Sequence, residues 1–219
     1  AKWCNCPPRR FEDEQYVRDV ELASYYIDRY EVSNRQFQAF VDASGYVTDA
    51  EHKREARTWR TEYTKGKDNH PVVWMSWNDA RAYCKWAGTR LPTEAEWEKA
   101  ARGGDVRLWP WGNDWDDQRL NSSAARRETT MPVGSFSDGA SPYGAMDMAG
   151  NVWEWVNDWY NPGYYQSGND QNPTGPEGGE DRVLRGGGFN TGLAELRTAN
   201  RHKGGQTGYA PDHGFRCAK

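Results

Sequence analysis

The sequence predicts one irregular α+β domain, and three observations carry that prediction. Helix signals cluster before residue 103, the later apolar runs are long enough only for brief strands, and the intervening loops are rich in glycine and proline, with 23 and 11 in 219 residues. The hydrophobic share is only 36% although 12 tryptophans and 12 tyrosines are present, and the mean hydropathy is −1.06. Such a chain must build its core from large rings whose N–H and O–H groups need partners. A disordered chain is excluded, because disordered segments lack aromatic residues.

Three helices are marked by their caps. Ser33 precedes NRQFQAFVDASG, where Phe37, Phe40 and Val41 share a face and Gly45 ends the pattern. Ser76 opens SWNDARAYCKWAG with Asp79 three residues on, a capping box, and Gly88 stops it. Thr93 and Glu96 repeat the device in TEAEWEKAARGG, with Trp97, Ala100 and Ala101 inward. Ahead of these, VRDVELASYYIDRYEV alternates well enough for a strand or two, while residues 46–75 read as a polar stretch. Further strands are expected at VWEWV, RVLRG and HGFRCAK, separated by long loops. No repeat or linker divides the chain, so one domain is expected.

Net charge is −4, with both signs spread along the chain, so the basic stripe that phosphate neutralisation needs is missing and nucleic acid is not an expected partner. No apolar run approaches the roughly 20 residues of a membrane-spanning helix. The four cysteines are Cys4, Cys6, Cys84 and Cys217. They permit three pairings, and spacing alone does not choose among them. Cys4 and Cys6 have no further histidine or cysteine nearby to complete a zinc site.

Four blocks occur in order: SYYIDRYEVSNRQFQAFV (24–41), RLPTEAEWEKAARGG (90–104), YGAMDMAGNVWEWVNDWY (143–160), and RVLRGGGF followed by GFRC (182–217). Together they closely resemble the formylglycine-generating enzyme, or sulfatase-modifying factor, family from residue 20 to the end, and that resemblance sets the expected domain at residues 20–219 after an arm over residues 1–19. The resemblance implies a loop-rich α+β fold with few short strands and two to three helices, related to C-type lectins. Family enzymes oxidise a substrate cysteine with a copper-holding cysteine pair located between the Gly-Gly turn and an RxAxR segment. The corresponding interval here, GGGFNTGLAELRTANR, contains no cysteine. Soft thiolates are what select Cu(I), so no copper and no formylglycine-generating activity are expected. The resemblance also implies a disulfide between Cys84 and Cys217, which match bonded cysteines of secreted relatives.

Matched position by position, the resemblance implies calcium held by main-chain oxygens of Asp147, Gly150 and Val152 and by the Glu154 carboxylate, a donor set that suits a hard cation. The alternative for Glu154 is a bond to indole N–H groups or loop amides. Asn121 matches a second family calcium site whose partner loop is shortened here. The glycines 186–188 lack the following helix and Lys-Ser/Thr of a phosphate loop, so they are expected to turn the chain. His52, His70, His202 and His213 form no motif that marks a metal triad, and no Ser-His-Asp pattern has context.

Binding is the remaining reading, since ordered loops hold varied residues on a rigid scaffold. The resemblance places Phe189, Asn190, Thr191, Arg197, Asn200 and His202 in a groove, with Trp109, Trp111 and Tyr209 as further members. Arg197 and Arg201 either face that groove or brace the core. The expected function is a non-catalytic binding or structural module, an accessory subunit that recognises a protein partner outside the cytoplasm. The arm, with Trp3, Cys4 and Cys6, is a candidate docking segment. The alternatives are a metal-dependent oxidoreductase with non-cysteine ligands and a retroelement-diversified binding protein.

Overall fold

The computed structural model describes residues 11–167 and 170–219, so Trp3, Cys4 and Cys6 lie outside the described residues. The three capped helices form where the local chemistry puts them. The first, α1 (Asn34–Ser44), starts at a full capping box between Ser33 and Gln36 and ends at Gly45 with φ 68°. The segment read as merely polar contains two single-turn helices, α2 (Asp49–His52) and α3 (Trp59–Glu62). Thr48 and Glu51 cap α2 reciprocally, a signal present in the sequence and overlooked because it precedes no apolar run. Helices α4 (Trp77–Trp86) and α5 (Glu94–Arg102) carry the Ser76–Asp79 and Thr93–Glu96 boxes. A further turn, α6 (Tyr164–Ser167), follows in the late loops.

A small sheet anchors the second half. Strand β1 (Trp153–Trp159) pairs antiparallel with β2 (Asp181–Arg185), and β2 pairs antiparallel with β3 (His202–Gly205). Strand β4 (His213–Gly214) joins β1 in parallel, giving the order β3-β2-β1-β4. The strand expected in residues 17–32 does not form; that stretch makes isolated bridges from Glu21 to Gln171 and from Ile27 to Ala218. The Arg216 guanidinium takes the carbonyls of Asp28 and Arg29, which a ladder would have used. The same inward arginine shortens the terminal strand from the expected HGFRCAK to two residues.

Rings dominate the core, and two of its buried indoles find main-chain acceptors. One core joins Phe37, Trp59, Tyr83, Trp155 and Phe215 between α1, α4 and the sheet; a second gathers Trp97, Met148, Val156 and Val183 under α5. Trp77 Nε1 donates to the Val156 carbonyl and Trp155 Nε1 to that of Met75, each at 2.8 Å. Cys84 of α4 is bonded to Cys217 with 5.7 Å between their Cα atoms, closing a separation of 133 residues. That bridge ties the first core helices to the chain end, beside the loops that form the site.

Candidate functional site

Strand β2 runs into the three glycines, and the turn there is dictated by crowding. Gly187 has φ 82°, and a Cβ on it would lie 2.7 Å from Leu196 Cδ2. A Cβ on Gly188 would lie 2.7 Å from Asp212 Oδ2. Two amides at the end of the turn are already spent: Gly188 N donates to Thr191 Oγ1 at 2.8 Å and Phe189 N to the Asn151 carbonyl at 2.8 Å. The glycines therefore turn the chain against its neighbours and do not form a phosphate cradle.

Beyond the turn, the exposed Asn190 donates a side-chain hydrogen bond to Asp212. Asp212 is buried, and burial raises its carboxyl above the ordinary range while Asn190 and His202 oppose the rise. The His202 ring packs on Trp153 with centroids 4.7 Å apart. Burial holds His202 below its usual value despite nearby Glu195, Asp212 and Asp181, so the imidazole is neutral at neutral pH. Next to it, His213 is pushed down to about 3 by burial, with its ring edge-on to Trp155 at 5.3 Å. The result is a hydrogen-bonding set (Asn190, Asp212, neutral His202) beside an indole, able to grip a polar ligand directionally.

The structure brings Phe189, Asn190, Thr191 and His202 to this place but not Arg197 or Asn200. Both of the latter engage Glu14: Arg197 Nη2 donates to its Oε1 at 2.9 Å and Asn200 Nδ2 to the same oxygen at 2.7 Å. Arg201 lies 2.7 and 2.8 Å from the two oxygens of buried Glu94. Burial would raise that carboxyl, yet Arg201 and Arg185 hold it below its ordinary value. Arg201 thus braces the interior, and it shares that role with Arg185, which donates to Glu98 at 2.6 Å and to the carbonyl of Thr198 at 2.8 Å. Trp109 stacks on Trp111 and meets Trp115 edge-on, while Trp111 and Trp115 pack against Leu120 and Leu196. Tyr209 stands apart, bonded to Glu55 at 2.8 Å.

The remaining histidines do not converge on it. His70 Nδ1 lies 2.9 Å from Thr130 Oγ1, and His52 ends α2. Among the described residues no group of three or more His, Cys, Asp or Glu side chains is placed to hold a metal.

The loop before β1 has Asp147, Gly150 and Asn151 at φ 59°, 82° and 67°. Glu154 makes the bond that was the alternative to calcium, with Trp97 Nε1 donating to its Oε2 at 2.8 Å. Arg216 adds a bidentate contact, Nε to Oε2 and Nη2 to Oε1, both at 2.7 Å. Asn151 Nδ2 donates to buried Glu31 at 2.6 Å. Burial, with Asp147 and Glu154 close by, pushes Glu31 well above the carboxylate range. Burial likewise raises Asp147 to about 6. Three buried carboxyl groups thus face one arginine, Glu154 Oε1 keeps a lone pair, and Asn121 Oδ1 is buried without a hydrogen-bond partner. Oxygen is the donor a hard divalent cation prefers, but these carboxyl groups are not placed together as a metal-holding set.

Sequence reasoning missed Asp212, Trp153, Glu14 and Arg185. Asp212 carried a usable signal, as the acid directly before HGFRC. Glu14 carried none, because its partner Arg197 is 183 residues away.

Comparison with known proteins agrees with this architecture. The formylglycine-generating enzyme of Thermomonospora curvata is 38% identical over 264 residues, covering 94% of this chain and 86% of that protein. The structure of PvdO from Pseudomonas aeruginosa superposes with a TM-score of 0.79 at 26% identity, over 97% of this chain and 88% of that one. Treponema denticola variable protein 1 shares the fold, with a TM-score of 0.75 at 23% identity over 91% of this chain and 85% of its own. The model of the sulfatase-modifying factor enzyme 1-like domain matches residues 7–219, and the chain belongs to that family.

Proposed function

We propose that this chain is a non-catalytic binding module on the formylglycine-generating-enzyme scaffold, an accessory subunit that recognises a protein partner through the groove of Phe189, Asn190, Thr191 and His202. One observation carries the reading. Between the glycine turn and Arg197 the sequence offers no thiol, and the side chains that stand there, Asn190 and Thr191, are hydrogen-bonded to Asp212 and to Gly188. Neither an amide nor a hydroxyl replaces a thiolate pair as a Cu(I) site. Asn190, His202 and Trp153 instead combine ring area with directional hydrogen bonds, which suits recognition. Metal analysis of the purified full chain tests this: substoichiometric copper and iron are expected, and a full equivalent of either overturns it.

A second reading, an oxidoreductase with non-cysteine ligands, draws on the proximity of His202 to Asp212, since imidazole and carboxylate are both metal donors. Stoichiometric iron that is lost in His202→Ala would establish it. Calcium belongs to the proposal through the main-chain oxygens of Asp147, Gly150 and Val152 together with Glu154; when bound, it would balance the buried acids without taking part in any reaction. The Cys84–Cys217 disulfide supports placement in an oxidising compartment outside the cytoplasm. No helix among the described residues is long and apolar enough to cross a membrane.

A further inference from the structure

Residues 11–14 form a strap across the segment 197–201. The 3-10 turn Glu12–Glu14 has no buried residue, yet the Glu14 side chain is only 5% exposed. Its Oε1 accepts from Arg197 Nη2 at 2.9 Å and from Asn200 Nδ2 at 2.7 Å, and its Oε2 accepts from Arg197 Nη1. The Phe11 ring lies 4.5 Å from the same guanidinium. Asp13 accepts from the Tyr160 hydroxyl at 2.9 Å and stands 3.8 Å from Arg201 Nη1. After Glu14 the chain lifts away, with Val17 91% exposed, until Arg18 pairs with Asp170. A cleft of about 430 Å³ opens between this stretch and the end of α5.

The strap is held by ionic and hydrogen-bond contacts more than by buried apolar area, which makes local opening inexpensive. What it would uncover is a built donor set. Without residues 11–14, Arg197 keeps its hydrogen bond to the Ala194 carbonyl at 2.8 Å. Its two Nη groups and Asn200 Nδ2 then form a planar fork with no acceptor. A fixed fork of this kind matches a carboxylate in two-point geometry, and a half-buried cation left without its partner favours any anion that pairs with it.

We propose that Arg197 and Asn200 form a carboxylate receptor, that residues 11–14 are its tethered occupant, and that an acidic, aromatic-flanked peptide segment of a partner protein takes their place. Tethering gives Glu14 an effective concentration in the millimolar range, of order 1 mM, so the strap masks the receptor against weak competitors. This site is separate from the Asn190–Asp212 groove and stands or falls independently of it.

The test is fluorescence polarisation with a labelled acetyl-Phe-Glu-Asp-Glu-amide peptide titrated into the full chain. Glu14→Gln removes the carboxylate that Arg197 and Asn200 hold and is expected to bind the peptide at least about tenfold more tightly than wild type. Adding Arg197→Gln to that variant abolishes the gain, salt weakens it, and a Phe-Gln-Asp-Gln peptide does not bind. Folded Glu14→Gln protein that binds no more tightly than wild type overturns the proposal. Hydrogen exchange on wild type supplies an arm that needs no variant. Amides of residues 12–17 exchanging about a hundredfold faster than those of β1 support it, and exchange at the rate of the core overturns it.

Discussion

Arg216 and Glu154 form an ion pair in which neither side chain retains solvent exposure, joined along one guanidinium edge through Nε and Nη2. The same guanidinium also donates to the carbonyls of Asp28, Arg29 and Met146, so one side chain links the chain end, β1 and the segment before α1. Replacing Arg216 by Met removes the partner of a buried carboxylate. The expected cost is about 3–5 kcal/mol, read as a lower urea midpoint with an unchanged slope. A loss below about 1 kcal/mol would show that Glu154 is satisfied without Arg216, through its bond from Trp97.

The parts of the fold that were legible are those set by neighbours in the chain. Ser33, Ser76 and Thr93 each cap a helix through a residue three positions away, and the structure contains all three boxes. Strand β3 was not legible, because His202, Lys203, Gly204 and Gly205 alternate nothing apolar. It pairs through its backbone, and Gly204 is needed where a Cβ would lie 2.8 Å from the Trp155 ring. At the site, the turning role of the glycines could be read from the missing phosphate-loop context. The division of the groove could not: whether Arg197 faces a ligand or a brace depends on Glu14, at the far end of the chain. The Cys84–Cys217 pairing came from resemblance alone, since four cysteines leave the choice open.

That disulfide yields a second prediction. It joins the end of α4 to the terminal segment across 133 residues, so reduction frees the unfolded chain and loosens the meeting of the two halves. Cys84→Ala/Cys217→Ala, or full reduction, is expected to lower stability by about 2–5 kcal/mol. Unfolding curves with and without reductant measure it, and the double variant should be insensitive to reductant if this bridge accounts for the effect.

Calcium gives a third. A ligand bound only by the native state stabilises it by about 2.7 kcal/mol at a hundredfold excess over its dissociation constant. Thermal unfolding of chelator-treated protein should therefore shift upward as calcium is added, and magnesium should do less because it tolerates irregular oxygen cages poorly. Glu154→Gln should lose the shift. A transition indifferent to calcium would remove the ion from the 147–154 loop.

Asp158 predicts the pH response. It lies on β1 with one oxygen accepting from Glu94 N at 2.8 Å and the other buried without a partner. Burial first, and the charge of Glu94 second, raise its carboxyl to about 8 against an ordinary 3.8. The folded state therefore holds a proton that the unfolded chain releases, and deprotonation costs the folded state. The favourable contribution is complete below the unfolded value, declines as pH rises toward about 8 and is lost above it. The slope from this one group is at most about 1.4 kcal/mol per pH unit. Asp158→Asn keeps an acceptor for Glu94 N and removes the titration, so its stability should fall less than that of wild type between mildly acidic and mildly alkaline buffer. Urea midpoints of the two proteins at matched pH decide it: parallel profiles would mean that Asp158 stays ionised in the folded chain.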